Sequence, residues 1–187
     1  LQVIGGGGQA ALLAPTEVLA AQHHSSLEAV LGPMARLGML GGAERATRVH
    51  LLTGSTPTAQ RRQILADLAA GEPAIVVGTH ALLSDTVQIP FLGLVVVDEQ
   101  HRFGVVQRSG LWAKNASWYP HILTMSATPI PRTLAMTLYG DLDISVIDEL
   151  PPGRKPIQTY HVSEGELFRV YRFLEQQIAE GRQAYVV

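Results

Sequence analysis

The chain has 187 residues, enough for one large domain or for one domain with part of a second, and 47% of them are apolar, as in an ordinary globular core. Its formal net charge of −2 is mild evidence against a nucleic-acid ligand, although a protein that holds phosphates through main-chain amides needs little net charge. The absence of cysteine excludes disulfides and thiolate metal sites and fits a reducing compartment, and no apolar run reaches the roughly 20 residues of a membrane span, so we expect no membrane partner.

The first residues look like the end of an amphipathic helix, without an initiator Met or a signal-peptide pattern, so we expect a piece of a longer protein. The glycine run at 5–8 is followed by residues 9–11 (QAA) and not by the Lys and Ser or Thr of a phosphate loop. It therefore predicts a flexible connection between a helix and a strand. Neither Lys114 nor Lys155 follows a G-x-x-x-x-G pattern, so a complete nucleotide cradle is not expected in this chain.

Three short apolar runs predict buried strands at residues 10–14, 49–53 and 74–77. A helix capped by Thr16 follows the first strand and ends near Gly32. A second helix is predicted with Thr56 as its N-cap and Pro57 as its first residue, and it ends at Gly71. Each strand ends in small or hydroxyl residues, and amides at helix N-termini beyond them would suit a run of phosphates.

Two adjacent histidines, His23 and His24, lie in the first of these helices, His23 within its inward apolar stripe. Neighbouring residues of a helix point about 100° apart, which makes the two imidazoles a poor pair of metal ligands. We interpret both as non-ligands.

The apolar run 94–97 predicts a strand buried on both faces of a parallel sheet, and it is followed at once by Asp98, Glu99, Gln100 and His101. In open α/β sheets the ligand lies beyond the carboxyl ends of the strands. Asp98 could hold a magnesium ion there, usually through water, while Glu99 orients the water that attacks a γ-phosphate. Strands also end in acidic residues simply because the chain re-enters solvent, so the pair alone leaves both interpretations open.

The stretch after the acidic pair carries four aromatic residues that either stack on bases or, more commonly, pack in partly buried positions: Phe103, Trp112, Trp118 and Tyr119. A strand is predicted at 121–125 and a helix from about Pro131. A further strand is predicted at 144–147.

Residues 151–156 are rich in proline, glycine and basic side chains, which predicts a semi-rigid linker. It divides the chain into two predicted domains, 1–150 and 157–187. In the second domain Ser163 and Glu166 form a capping box at the start of a helix that ends at Gly181. Strands are predicted there at 157–162 and 184–187. The alternation of strands and helices predicts an α/β fold with a parallel sheet flanked by helices.

Five motifs occur in the order and spacing of superfamily-two helicase motifs Ia, an intermediate glycine motif, Ib, II and III. They are Ala14-Pro15-Thr16-Glu17, Thr53-Gly54-Ser55, Gly78-Thr79-His80, Asp98-Glu99-Gln100-His101 and Ser126-Ala127-Thr128. Longer runs at 98–105, 127–137 and 139–143 resemble the RecG family of bacterial ATP-dependent DNA helicases. The resemblance covers nearly all of the chain from about Ala10 onward. It implies a RecA-like (P-loop NTPase) first helicase lobe, 1–150, without its Walker A segment, and the start of a second lobe.

The resemblance also implies roles for the matching residues. Asp98 would coordinate magnesium and Glu99 would activate the hydrolytic water. Nucleotide sensing and its coupling to domain movement would fall to Gln100, His101, Ser126, Ala127 and Thr128. The DNA path would be lined by Pro15, Thr16, Glu17, Gly54, Thr79 and His80. Arg102 and Arg132 would contact phosphates or another domain, or form surface ion pairs.

Members of this family regress stalled forks and migrate Holliday junctions in DNA repair and recombination. The resemblance therefore implies ATP and Mg²⁺ as cofactors, branched double-stranded DNA and single-stranded-DNA-binding protein as partners, and a monomer in the bacterial cytoplasm. It places motif I before Leu1 and motifs IV to VI after Val187, so we expect no ATP turnover from this chain alone.

Two other interpretations stay open. The transcription-repair coupling translocase shares the proline-rich motif III, but its acidic motif usually differs at the residues that match Gln100 and His101, and the run 148–154 favours RecG. A nonhydrolytic DNA-binding or interaction module is the alternative of another class, and the intact Asp98 and Glu99 argue against it.

Overall fold

A five-stranded parallel sheet organises the first part of the chain in the computed structural model, which describes residues 1–38, 40–43, 46–99, 119–127, 143–149, 151, 153–154 and 157–186. The strands are β1 (Gln9–Leu13), β2 (Arg48–Leu52), β3 (Ala74–Gly78), β4 (Leu92–Asp98) and β5 (His121–Met125). Their order is β2-β3-β1-β4-β5, and every neighbouring pair is parallel. The predicted α/β parallel sheet is confirmed.

The helices flank this sheet or follow it in the chain. They are α1 (Gln2–Gly5), α2 (Glu17–Leu31), α3 (Thr58–Ala69) and α4 (Leu167–Ala179), with short 3-10 helices at Gly32–Ala35, His80–Leu83 and Glu164–Glu166. Thr16 caps α2 as predicted, since its Oγ1 accepts from the Leu19 N–H at 3.2 Å. The cap of α3 was predicted wrongly: Pro57 is the N-cap, while Thr56 Oγ1 accepts from the Thr53 N–H at 2.9 Å and stabilises the turn before the helix.

The core lies on both faces of the sheet. On one face α3 packs Ile64 and Leu68 against side chains of β1 to β4. On the other face α2 contributes Ala20, flanked by Leu19 and Leu27. Burying a side chain as large as Leu is worth about 2 kcal/mol, so these contacts hold the helices against the sheet.

The acidic strand β4 is less evenly buried than its sequence predicts. Val95 and Val97 are buried, while Leu94 and Val96 are half-buried. The prediction of a strand buried on both faces is therefore right for one face only.

Gln9 anchors the amino ends of the strands. Its fully buried side chain donates from Nε2 to the carbonyls of Leu68 (2.8 Å) and Glu72 (3.2 Å), and its Oε1 accepts from the Phe91 N–H (3.0 Å). These bonds join β1 to the end of α3 and to the segment before β4. A polar residue thus begins a strand that the apolar pattern predicted to start at Ala10.

By its internal contacts the chain divides into Leu1–Leu138 and Tyr139–Val187. The predicted domain boundaries at 150 and 156 rest partly on residues outside those described and stay predictions. In the second unit the capping box of Ser163 and Glu166 and the helix after it are confirmed.

Three predicted strands are wrong. Residues 144–147, 157–162 and 184–186 carry no strand pairing, and residues such as Ile157 and Tyr160 are exposed. A strand exists through the ladder that it forms with a neighbour, and no neighbour pairs with these segments in the described part of the chain. Among the described helices, none is both long and apolar enough to cross a bilayer.

Candidate active site at the carboxyl edge of the sheet

All five strands deliver their carboxyl ends to one edge of the sheet. Leu13 of β1 pairs with Gly78 of β3 and with Val97 of β4, and Leu52 of β2 also pairs with Gly78. The predicted site residues that follow these strands therefore share this edge: Thr16 and Glu17, Gly54, Thr79 and His80, Asp98 and Glu99, and Ser126 and Ala127. The juxtaposition of the acidic pair with the Thr79 turn is as the sequence predicts.

Asp98 is held by a histidine from α2. The His23 Nε2–H donates to Asp98 Oδ2 at 2.8 Å, and the two side chains are 29% and 18% exposed. A carboxylate oxygen accepts, so the imidazole carries its hydrogen on Nε2. The sequence interpretation of His23 as a mere non-ligand missed this contact. The available signal was a polar residue inside the apolar stripe of a helix that covers the sheet.

The His24 side chain points away from that of His23 and makes other contacts. Its Nε2 lies 3.0 Å from the Val49 carbonyl oxygen and its Nδ1 lies 3.3 Å from Glu28 Oε2. The two rings therefore do not converge on a metal, as the helix geometry predicts. Within the ranges that the structure describes, no cluster of three His, Cys, Asp or Glu side chains could hold a metal ion.

Asp98 could serve as one ligand of a magnesium ion whose other ligands are water and phosphate oxygens. Mg²⁺ is usually held by one or two carboxylates together with water and phosphate oxygens, and not by a cage made only of protein. Asp98 Oδ2 is taken by His23, and Oδ1 has no hydrogen-bond partner among the residues described. One carboxylate oxygen at this edge is therefore available to the ion or to its water.

Glu99 has an unusual backbone. Its φ is 50°, the left-handed region, and it is the one non-glycine residue with positive φ in the described ranges. Such a conformation costs a residue other than glycine on the order of 1 kcal/mol or more and is found preferentially at functional sites. The strain lies at the residue that the sequence assigns to the hydrolytic water.

The motif after β1 contacts the motif after β2. Glu17 accepts from the Ser55 N–H (3.1 Å) and from the Ser55 Oγ–H (2.7 Å). The Ser55 hydroxyl, and to a lesser degree the amides of Ser55 and Gly54 and the charge of His80, hold the pKa of the Glu17 carboxyl below its usual value against partial desolvation. A Cβ at Gly54 would lie 3.0 Å from Glu17 Oε1, so the glycine leaves room for this carboxylate.

Thr79 and His80 are placed differently. Thr79 is 2% exposed, and its buried hydroxyl has no hydrogen-bond partner in the described part of the chain. His80 is exposed at the start of the 3-10 helix. A phosphate on this surface would meet His80 and not the Thr79 hydroxyl.

The exposed residues at this edge are Thr16, Glu17, Gly54, His80, Ser126 and Ala127, with Pro15 half-buried. Several residues to which the sequence assigns roles lie outside the described residues: Gln100, His101, Arg102, Phe103, Trp112, Trp118, Thr128 and Arg132. Their roles stay predictions.

Comparison with known proteins gives a consistent answer. The family model described as DEAD/DEAH box helicase matches residues 1–137. A protein named ATP-dependent DNA helicase RecG from Mycobacterium bovis is 56% identical over 100% of this chain and 26% of its own length. The protein of the same name from Bacillus subtilis is 48% identical over 97% of this chain and 25% of its own length. The chain thus spans about a quarter of the length of these relatives.

Solved structures extend the likeness to three dimensions. A structure described as RecG bound to a three-way DNA junction matches with a TM-score of 0.73 and 38% identity, covering 96% of this chain and 22% of that one. The yeast DEAD-box splicing factor Prp28 matches with a TM-score of 0.51 and 18% identity over 71% of this chain and 30% of its own, which is a likeness of fold alone.

Proposed function

We propose that this chain, which belongs to the DEAD/DEAH box helicase family, is part of an ATP-dependent DNA helicase of the RecG kind. Its RecA-like fold is that of the RecG structure which it resembles. One observation carries the proposal: Asp98 ends an inner strand of the sheet and Glu99 follows it, at the edge that also bears the Glu17 and Ser55 contact. Ligands of open α/β sheets bind at this edge.

The proposed chemistry is ATP hydrolysis. Asp98 would hold Mg²⁺ through its Oδ1 side, and Glu99 would orient the attacking water and accept its proton. When bound, the ion would neutralise charge on the β- and γ-phosphate oxygens. Ser126, at the end of the neighbouring β5, would report the nucleotide state together with Ala127, Thr128, Gln100 and His101.

The proposed nucleic-acid partner is branched double-stranded DNA. The relative of known structure is described as bound to a three-way junction. Thr16, Gly54 and His80 are exposed at one edge, where hydroxyl, amide and imidazole groups could contact phosphates without reading sequence. We propose regression of stalled forks and migration of Holliday junctions, in repair and recombination in the bacterial cytoplasm, with single-stranded-DNA-binding protein as a further partner.

The proposed arrangement has two lobes. Residues 1–150 would form most of the first RecA-like lobe, 151–156 the linker, and 157–187 the start of the second lobe. ATP between the lobes would close them, and the differential affinity of ATP and its products for the closed state would drive stepping along DNA.

The test is Glu99→Gln in the full-length protein. DNA-stimulated ATP hydrolysis and fork regression should fall about 1,000-fold, because the amide cannot take a proton, while nucleotide binding should persist. Glu72→Gln is the matched control: this exposed acid precedes β3, at the amino edge of the sheet, and should leave turnover unchanged. Undiminished turnover in Glu99→Gln would overturn the proposed role.

A further inference from the structure

The contact between His23 and Asp98 joins two parts of the chain that are 75 residues apart in sequence. It lies at the carboxyl edge, partly exposed, and not in the apolar core. We infer that His23 is a positioning residue: it fixes the Asp98 carboxylate so that the second oxygen faces the metal of the bound nucleotide. This inference rests on the proposed function.

The imidazole comes from a well-fixed helix. The Thr16 cap sets the start of α2, and the fully buried Ala20 packs it on the sheet one turn before His23. The next residue, His24, contacts the Val49 carbonyl oxygen of β2 at 3.0 Å. The position of the His23 ring is therefore set by contacts on either side of it in the helix.

The hydrogen bond constrains the carboxylate. An Asp side chain that ends a strand can turn about its last bond, and this bond is soft. A single N–H donor at 2.8 Å from Oδ2 selects one orientation and leaves Oδ1 to another ligand. Groups that orient a ligand in this way commonly contribute 10- to 100-fold to metal affinity.

A merely structural contact predicts a different result. If His23 only fastened α2 to β4, its loss would lower the thermal stability and leave the metal affinity of the nucleotide complex unchanged. If His23 positions Asp98, its loss lowers the Mg²⁺ affinity of the nucleotide complex. A side chain that places an N–H donor at the same distance should then restore that affinity. The Gln amide nitrogen lies at about the reach of His Nε2, and the Asn amide is one bond shorter.

The experiment uses the full-length protein and a fluorescent ADP analogue, titrated with Mg²⁺ and followed by binding, not by turnover. His23→Phe should raise the Mg²⁺ concentration at half-saturation about tenfold, and His23→Gln should restore it towards that of the unchanged protein. Gln22→Phe, at an exposed position of the same helix, is the matched control and should leave the midpoint where it was. Thermal unfolding without metal is measured in parallel.

The outcomes separate the two hypotheses. A His23→Phe curve that coincides with that of the unchanged protein would overturn the inference, as would an equal shift in Gln22→Phe. Should His23→Phe fail to fold, the pair His23→Asn and His23→Gln decides: equal midpoints overturn the inference, and a weaker Asn variant supports it. Absence of nucleotide binding in the unchanged protein is a separate failure, that of the proposed function.

Discussion

The two edges of the sheet differ in how their polar groups are satisfied. At the amino edge Gln9 is fully buried and makes three hydrogen bonds to main-chain groups. At the carboxyl edge the polar side chains are mostly half-buried or exposed, and Glu99 has a strained backbone. Groups that are already satisfied within the protein stabilise it, while groups still open to a ligand serve binding and chemistry. Stability is therefore contributed at the amino edge, while the residues of the proposed site lie at the opposite ends of the same strands.

The largest effect is expected at the amino edge. Gln9→Leu removes three buried hydrogen bonds, those to the Leu68 and Glu72 carbonyls and the one from the Phe91 N–H, which should lower the free energy of unfolding by about 3 kcal/mol. Denaturant unfolding measures this. Among the described residues the exposed Gln88 donates to one group, the Asp85 carbonyl, so Gln88→Leu should stay within about 0.5 kcal/mol. Equal losses in both variants would contradict the contrast between the edges.

Gly78 lies at the carboxyl edge, but we expect it to contribute to stability, as Gln9 does at the amino edge. A Cβ at Gly78 would lie 2.1 Å from the Leu52 carbonyl oxygen, a main-chain atom that cannot move without shifting β2. Gly78→Ala should therefore cost about 2 kcal/mol of unfolding free energy, although the residue belongs to a motif assigned to DNA. Gly5→Ala meets nothing within 4 Å and is the control. An unchanged free energy of unfolding in Gly78→Ala would show that close packing at this position does not contribute to stability.

A smaller effect is expected from pH at His50, in the middle of the outer strand β2. Burial lowers the pKa of His50, and the charge of Arg48 adds to this, while Asp67 opposes it. The unfolded chain then binds the proton more readily, so stability should be full above the ordinary His value near 6.5 and fall as the pH drops through it towards the folded pKa. His50→Gln should flatten this part of the unfolding curve. The exposed His161→Gln should leave it unchanged, and an unaltered slope in His50→Gln would refute the assignment.

The smallest effect on stability is expected at the exposed pair of Glu17 and Ser55. Ser55→Ala removes the hydroxyl that contributes most to the low Glu17 pKa, which should return towards its ordinary value in an NMR titration. Because the folded pKa is depressed, the stabilisation is present above the ordinary value of 4.5 and is lost as the pH falls through the folded pKa. Ser84→Ala, which removes a half-buried hydroxyl in another turn, is the control. An unmoved Glu17 pKa would contradict this account.

The sequence predicts what depends on neighbours in the chain. The cap at Thr16, the capping box at Ser163 and the placing of Asp98 at a strand end follow from local patterns and are found in the structure. The bond from His23 to Asp98 spans 75 residues, and no local pattern specifies which helix residue meets which strand end. The burial of the Thr79 hydroxyl depends in the same way on packing.

The wrong predictions have a related cause. Residues 157–162 alternate as a strand does, but alternation describes only which side chains could face a core. Whether a strand forms is decided by a partner elsewhere in the chain. The polar start of β1 was missed for the same reason, since Gln9 is tolerated in the core only because distant main-chain groups satisfy its amide.

The left-handed backbone at Glu99 has an evolutionary consequence. Glycine would adopt a φ of 50° without the steric cost that a side chain meets there. Selection for robustness alone would therefore favour Gly at this position, and drift in a lineage that no longer needs the carboxylate should lead there. Descendants that have lost the proposed ATP hydrolysis should carry Gly at this position before the rest of the sheet changes.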